Sequence, residues 1–103
     1  MSRVYKILRR AEWAAAEAAG AYHGSALDLA DGFIHLSSED QVAETLRLHF
    51  AGQADLVIAG FEAEALGEAL RWEPSRGGAL FPHVYGPLET ALAVSVRPAG
   101  AAA

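Results

Sequence analysis

Cysteine is absent from the 103 residues of this chain. This absence excludes disulfide bridges, thiolate zinc sites and thiol nucleophiles, and it is typical of a protein in a reducing compartment. Long apolar runs are also missing, since no stretch approaches the roughly 20 residues that a membrane-spanning helix needs. The N-terminus "MSRVYKILRR" soon becomes charged and does not resemble a signal peptide. We therefore expect a soluble cytoplasmic protein with no membrane partner.

Basic residues are few. The chain has 8 Lys and Arg against 13 Asp and Glu, and its net charge is −5. The basic residues are scattered, whereas a nucleic-acid binder usually carries a basic stripe that neutralises phosphates. The charge pattern therefore disfavours a nucleic-acid partner. A small anionic ligand needs only one or two well-placed arginines and is compatible with this sequence.

Several motifs of known chemistry are also missing. The sequence has no HExxH, no H-x-H and no aspartate loop with ion-binding spacing, so we expect no resident metal ion. Its glycine-rich segments match neither GxGxxG nor GxxxxGK, which disfavours a Rossmann dinucleotide site and a P-loop.

The residues that are present suit one small α+β domain. Apolar residues make up 52% of the chain, enough for one core, and we expect a single domain at 1–97 with a disordered tail, "PAGAAA", at 98–103. Residues 22–32 have turn chemistry and are expected to form a loop. Because helices come early and strands late, we expect a mostly antiparallel sheet. Periodicity predicts helices at 10–20 and 38–52 and strands at 4–9, 33–37, 54–61, 70–75 and 91–98.

The stretch "DGFIHLSSEDQ" places a histidine inside an apolar run. Alternate side chains of a strand share a face, so His35 and Ser37 point together if Ile34 and Leu36 face the core. They would then meet a cleft beside the N-terminus of a helix, where backbone N–H groups attract anions. Two alternatives stay open: Ser37 acts only as a helix cap, and His35 is a structural histidine bonded to a backbone carbonyl.

A second group of polar residues lies in "LRWEPSRGGALFPHVYGPL". Arg71 and Glu73 share a strand face, and His83 and Tyr85 share another if their segment is extended. Together they would provide an anion clamp and a proton-transfer group. The alternative is an exposed Arg71–Glu73 pair of little energetic weight with a half-buried Tyr85.

These segments carry a family resemblance. The elements "YKI", "GS..D..DGFIHLS..Q", "HF.G..DL", "LRWE" and "LFPH.YGPL" resemble, in this order, the bacterial domain-of-unknown-function family 952, from about Val4 to Val96. That family's fold looks like the ADP-ribosylation superfamily, the split-sheet, NAD-binding fold of ADP-ribosyltransferases. "FIHLSSEDQVAETL" is also similar to a strand–helix segment of NAD-dependent RNA 2′-phosphotransferases. This chain lacks the arginines with which those enzymes hold RNA, so the resemblance implies nucleotide binding rather than RNA repair.

The resemblance implies a cleft for NAD or a related nucleotide and an ADP-ribosyl- or phospho-transferase-like activity. His35 and Ser37 would lie near the nicotinamide ribose and amide, and Glu73 would stabilise positive charge on the ribose. The implied catalytic residues are His35, Glu73 and His83, and the implied cofactor-binding residues are Ser25, Ser37, Arg71 and Tyr85.

Two further hypotheses belong to other classes. One is a non-catalytic ligand-binding or interaction module on the same fold. The other is a metal-assisted hydrolase that uses His35, His83 and an aspartate. The nucleotide hypothesis requires that His35 and His83, which are far apart in sequence, lie around one hollow.

Overall fold

The structure, a computed structural model, describes residues 2–99 apart from the side chain of Arg76. Most of the predicted tail lies outside the described residues, but Pro98 ends the last strand and Ala99 is buried. The strands are β1 (Arg3–Arg9), β2 (Ala21–Tyr22), β3 (Ile34–His35), β4 (Ser37–Ser38), β5 (Leu56–Glu62), β6 (Leu70–Pro74), β7 (Leu80–Val84), β8 (Leu88–Glu89) and β9 (Ala93–Pro98); the α-helices are α1 (Arg10–Ala19), α2 (Ala26–Asp31), α3 (Val42–His49) and α4 (Ala63–Leu66).

The strands of residues 2–99 form three antiparallel sheets. The largest has the order β4-β1-β5-β9, a second has the order β3-β7-β6, and β2 pairs with β8. Short connections and antiparallel pairing define an α+β domain. The expected α+β class with mostly antiparallel pairing is confirmed.

The prediction of two helices and about five strands is wrong in number. Helix α2 forms where a loop was predicted, because Ser25 caps it: the Asp28 N–H donates to Ser25 Oγ, and the Ser25 N–H donates to Asp28 Oδ2. Gly32 ends it with φ 85°, a left-handed conformation that suits glycine. Strands of two residues, such as β2 and β8, are too short to give a periodic signal.

The predicted strand at 33–37 is two strands in different sheets. β3 pairs with β7 and β4 pairs with β1, and Leu36 between them donates its N–H to the Pro82 carbonyl at 3.0 Å. The chain therefore crosses from one sheet to the other within five residues. The sheets diverge at this crossing.

The two faces of the central sheet contact separate hydrophobic clusters. Val4 and Leu8 of β1 pack on one face with Phe61 and Trp13, whose rings meet edge to face at 6.3 Å between centroids. Ile7 and its neighbours pack on the other face against α3. Burying each large apolar side chain contributes about 1.5–3 kcal/mol, so both faces hold β1 firmly in place.

Within residues 2–99, the helices are too short and too polar to cross a membrane.

Candidate functional site

A cavity of about 650 Å³ opens where the two larger sheets diverge. Five consecutive residues of β1, Tyr5 to Arg9, line it. Because neighbouring side chains of a strand point to opposite faces, the cavity must run along the edge of β1 rather than over one face. Residues of α2 close one side, residues of α3 close the other, and His35 and His83 lie at the end where the sheets separate.

The structure brings His35 and His83 together. They are directly opposite each other in the β3–β7 pair, and their ring centroids are 5.5 Å apart. Opposed residues of an antiparallel pair place their side chains on the same face of the sheet. Both residues line the cavity.

His35 is held by two aspartates. Its Nδ1 lies 2.6 Å from Asp28 Oδ1, and its Nε2 lies 2.9 Å from Asp31 Oδ2. Asp28 and Asp31 are one turn apart on α2, so they share a face of that helix. Both ring nitrogens of His35 therefore contact carboxylates of the chain itself.

Asp28 also forms a buried ion pair. Lys6 Nζ donates to Asp28 Oδ2 at 2.8 Å and to the His35 carbonyl at 3.1 Å, and the exposed fractions of the Lys6 and Asp28 side chains are 8% and 2%. Asp28 accepts further bonds from the backbone N–H groups of Ser25 and His35. Such a pair is stable only when hydrogen bonds satisfy it, as they do here.

The buried pair shifts both pKa values. Burial lowers the pKa of Lys6, and the charge of Asp28 opposes that shift only in part. Burial alone would raise the pKa of Asp28, but the Lys6 charge and the bonds from Lys6, Ser25 and His35 together bring it below its ordinary value. Asp28 is therefore a carboxylate at neutral pH.

His83 has a different environment. Its Nδ1 lies 2.7 Å from Glu73 Oε1, and the Tyr85 hydroxyl donates to the same oxygen at 2.7 Å. Hydrogen bonds from His83 and then Tyr85 lower the pKa of Glu73, so Glu73 is ionised and Nδ1 of His83 carries the hydrogen. The bond to Glu73 also raises the pKa of Tyr85. Phe33 stacks on the His83 ring, with centroids 4.1 Å apart.

The second nitrogen of His83 is free. Among the described groups of residues 2–99, none forms a hydrogen bond with Nε2. Nε2 is also not sealed from solvent, in contrast to the Tyr22 hydroxyl. His83 as a whole is only 5% exposed and lines the cavity. The open space that Nε2 meets is therefore the cavity.

The remaining predicted site residues divide into two groups. Ser25 and Ser37 line the cavity, but Ser25 caps α2 and Ser37 is buried, with its hydroxyl donating to Thr45 at 3.1 Å. The alternative that Ser37 acts only as a helix cap is wrong. The spacing of Ser38 and Gln41 predicts a capping box, and the Ser38 N–H does donate to Gln41 Oε1 at 3.0 Å. Glu73, Arg71 and Tyr85 are not among the described residues that line the cavity. Glu73 and Tyr85 lie on the Nδ1 side of His83, and the Arg71 guanidinium is 4.8 Å from the centre of the Tyr85 ring.

The sequence reasoning assigned no site role to Lys6, Arg9, Tyr22 or Phe33, and it considered Asp28 beside His35 only as a possible metal ligand. Lys6 gave one usable signal, because it is a lone charge on the buried face of a strand that alternates Val4, Lys6, Leu8. Tyr22 gave none. Burial, with the charges of Asp28 and Glu12, raises the pKa of Tyr22, and nearby Ser25 opposes this shift. None of the described groups forms a hydrogen bond with the buried Tyr22 hydroxyl.

The architecture and the site define a class of small α+β domains: diverging antiparallel sheets with a cleft walled at one end by paired histidines. A family described as "Protein of unknown function (DUF952)" matches residues 7–96. The chain belongs to that family.

Solved structures of a relative agree with the fold. The chain is similar to protein CC0527 from Caulobacter crescentus, whose X-ray crystal structure is 56% identical over 94% of this chain and 85% of that chain, with a TM-score of 0.92. The solution NMR structure of CC0527 is also 56% identical, over 95% and 84% of the two chains, with a TM-score of 0.85. Among curated proteins, none matches this chain.

Proposed function

We propose that this chain is a small cytoplasmic enzyme, similar in fold to ADP-ribosyltransferases, that binds NAD or a related nucleotide and transfers its ADP-ribosyl group. The observation that carries the proposal is the free Nε2 of His83 at the wall of the cavity, with Glu73 on the opposite nitrogen. A carboxylate that fixes the tautomer of a histidine is the usual support of a general base.

The cavity fits a ligand of this kind. Its volume of about 650 Å³ lies within the range of small-molecule sites, which is roughly 300–1,000 Å³. Its wall combines apolar surface with hydroxyl and imidazole groups, and the lining Arg9 forms no ion pair with the described side chains of residues 2–99. Arg9 is the residue that would meet a phosphate of the nucleotide.

The chain's own residues would then move one proton. A bound NAD supplies a ribose carbon from which nicotinamide departs with the bonding electron pair. His83 Nε2 accepts the proton of the attacking hydroxyl group as that hydroxyl oxygen bonds to the ribose carbon. Glu73 stabilises the resulting imidazolium through Nδ1, as the aspartate does in the Ser-His-Asp triads of hydrolases. Glu73 is thus a positioning residue in this proposal.

His35 has another role in this proposal. Both of its nitrogens already contact carboxylates, so neither is free to exchange a proton with a ligand. The ring anchors α2 and presents its remaining edge to the cavity, beside His83. Ser25 and Ser37 shape the same wall.

Calorimetric titration of the purified protein with NAD, ADP-ribose and AMP tests binding, and release of nicotinamide from NAD tests the reaction. We expect His83→Asn to retain affinity, because the Asn amide replaces the Nδ1 donor toward Glu73, while turnover falls at least 100-fold with the loss of the base. The absence of binding heat and thermal shift for all three compounds at millimolar concentration would refute the proposal.

A non-catalytic binding module is the second candidate, favoured by the two carboxylates that occupy His35. In that case NAD or ADP-ribose binds, nicotinamide is not released, and Glu73→Gln leaves the affinity unchanged. A metal-assisted hydrolase has less support, because residues 2–99 contain no group of three or more His, Asp or Glu side chains arranged to hold an ion.

A further inference from the structure

Among the strands of residues 2–99, none lies beside the cavity-facing edge of β1 beyond Tyr5. β4 occupies this edge only opposite Val4 and Tyr5, and then the chain turns away to the other sheet. The opposite edge of β1 is paired with β5 over its whole length, from Arg3 to Arg9. Half of the backbone groups of the second half of β1 therefore point toward the cavity.

The register identifies which groups these are. Just beyond β1, the Ala63 N–H donates to the Ser2 carbonyl and the Arg10 N–H donates to the Asp55 carbonyl, so even-numbered residues of this strand bond to the β5 side. Backbone groups of an antiparallel strand alternate between its two neighbours. The odd-numbered residues therefore point to the other edge. Tyr5 meets Ser37 of β4 there, and the Arg9 N–H meets Glu12 Oε1 at 3.1 Å.

Ile7 lies between these two and has no such partner. Within the part of the chain that the structure describes, its N–H and its C=O form no hydrogen bond on the cavity side. Ile7 is nevertheless only 4% exposed. Buried backbone donors and acceptors are almost always paired. The partner of this N–H and C=O would therefore come from another molecule.

From this edge we infer a binding site for an extended peptide, which would add a strand to β1 inside the cavity. A peptide offers a donor and an acceptor at every second residue, with the same repeat of about 6.8 Å that separates the outward groups of Ile7 and Arg9. The side chains of such a peptide would alternate between two sides of the cavity. Thr45, His49 and Phe50 line the side next to α3, and Tyr22 and Leu27 line the side next to α2. This inference does not rest on nucleotide binding.

The charge of the site narrows the choice of peptide. Lys6 is neutralised by Asp28, whereas the Arg9 guanidinium at the far end of the edge forms no ion pair with residues 2–99. An acidic peptide residue would complement the Arg9 guanidinium if it lies two residues from the peptide residue that bonds to Ile7.

The test begins with selection from a phage-displayed library of random octapeptides on the intact protein. The selected peptide is then synthesised with a single N-methyl group at each position in turn. Strand addition predicts an alternating pattern, because only every second peptide N–H faces β1. Methylation of an N–H that faces β1 should weaken binding at least tenfold, and methylation at the positions in between should change it less than twofold. Failure to enrich any sequence, or an N-methyl scan without alternation, overturns the inference.

NMR of the wild-type protein locates the contact. On addition of the selected peptide, the Ile7 amide should shift, and its hydrogen exchange should slow at least tenfold. Ile7→Pro removes this N–H without breaking the β5 ladder and should abolish binding, whereas Ile7→Ala loses similar packing but keeps the N–H and should bind. An Ile7 amide that does not respond to the peptide, or that responds equally to nicotinamide alone, contradicts a peptide site.

Discussion

His35 and His83 are opposed in one strand pair, yet their surroundings differ in kind. His35 contacts a carboxylate at each nitrogen, and one of these, Asp28, belongs to a buried ion pair with Lys6. His83 contacts a carboxylate at Nδ1 only, and the oxygen of Glu73 that holds it also accepts the Tyr85 hydroxyl. One histidine is saturated by its own chain, and the other retains a free nitrogen in the cavity.

This difference predicts that His35 contributes mainly to the stability of the fold and His83 mainly to the chemistry of the site. The network around His35 joins β1, α2 and β3 and excludes water from Asp28, so its loss must affect folding. The contacts of His83 come from the more exposed strand β6 and from aromatic stacking by Phe33. Changes there should alter the reactivity of the ring more than the stability of the fold.

The largest expected effect is on the buried pair. Asp28→Asn removes the charge that compensates Lys6, and removing one partner of a buried pair costs about 3–5 kcal/mol. We expect a fall of about this size in the free energy of unfolding, measured by chemical denaturation. The double variant Lys6→Met/Asp28→Asn should recover part of it. Arg10→Gln is a matched control at an exposed pair with Asp55 and should change stability by less than about 1 kcal/mol.

The same pair gives the second prediction, a dependence of stability on acid pH. The pKa of Asp28 in the fold is below its ordinary value, so the unfolded chain binds more protons in the interval between the two values. Its stabilising contribution is complete above the unfolded pKa and is lost as the pH falls through the folded pKa. Thermal unfolding from pH 7 to pH 2 should show this loss in the wild type, and a parallel curve for Asp28→Asn would contradict it.

The third prediction compares the two histidines directly. His35→Ala leaves Asp28 without one of its donors and should lower the free energy of unfolding by about 1–3 kcal/mol. His83→Asn preserves a donor toward Glu73 and should cost less stability than His35→Ala, while it abolishes the proton transfer proposed above. Denaturation curves and nicotinamide release for both variants test the contrast. Equal losses of stability would show that both rings serve the fold.

The smallest expected effect is at Tyr22, whose buried hydroxyl has no hydrogen-bond partner within residues 2–99. Tyr22→Phe removes an unsatisfied donor and leaves the ring, so stability should stay constant or rise by about 1 kcal/mol. Weaker nucleotide binding by this variant would show that a ligand satisfies the hydroxyl. Differential scanning calorimetry with and without ADP-ribose separates the two results.

The sequence predicts the longer elements of this fold because their patterns are local. The alternation of Val4–Arg9, the alanine-rich helix after it and the apolar run before Glu62 each carry their own periodicity. The sequence does not predict the division of 33–37 between two sheets, since a change of partner at Leu36 leaves the alternation of the residues intact. That division depends on long-range pairing with β1 and β7.

The candidate site could be predicted only in part, for the same reason. His35, Glu73 and His83 were visible as polar residues in apolar strands, and they lie near one another. Which of them is free was not visible, because it depends on Asp28 reaching His35 from a six-residue helix and on the angle at which Glu73 meets His83. Composition and spacing do not report such partners.

Leu36 alone joins β3 to β4, and this has a mechanical consequence. Leu36 is only 3% exposed and its N–H is bonded to the Pro82 carbonyl, so the separation of the two sheets is fixed at this residue. The spacing of the two imidazoles, 5.5 Å between ring centroids beside this residue, should therefore stay constant whatever the cavity holds.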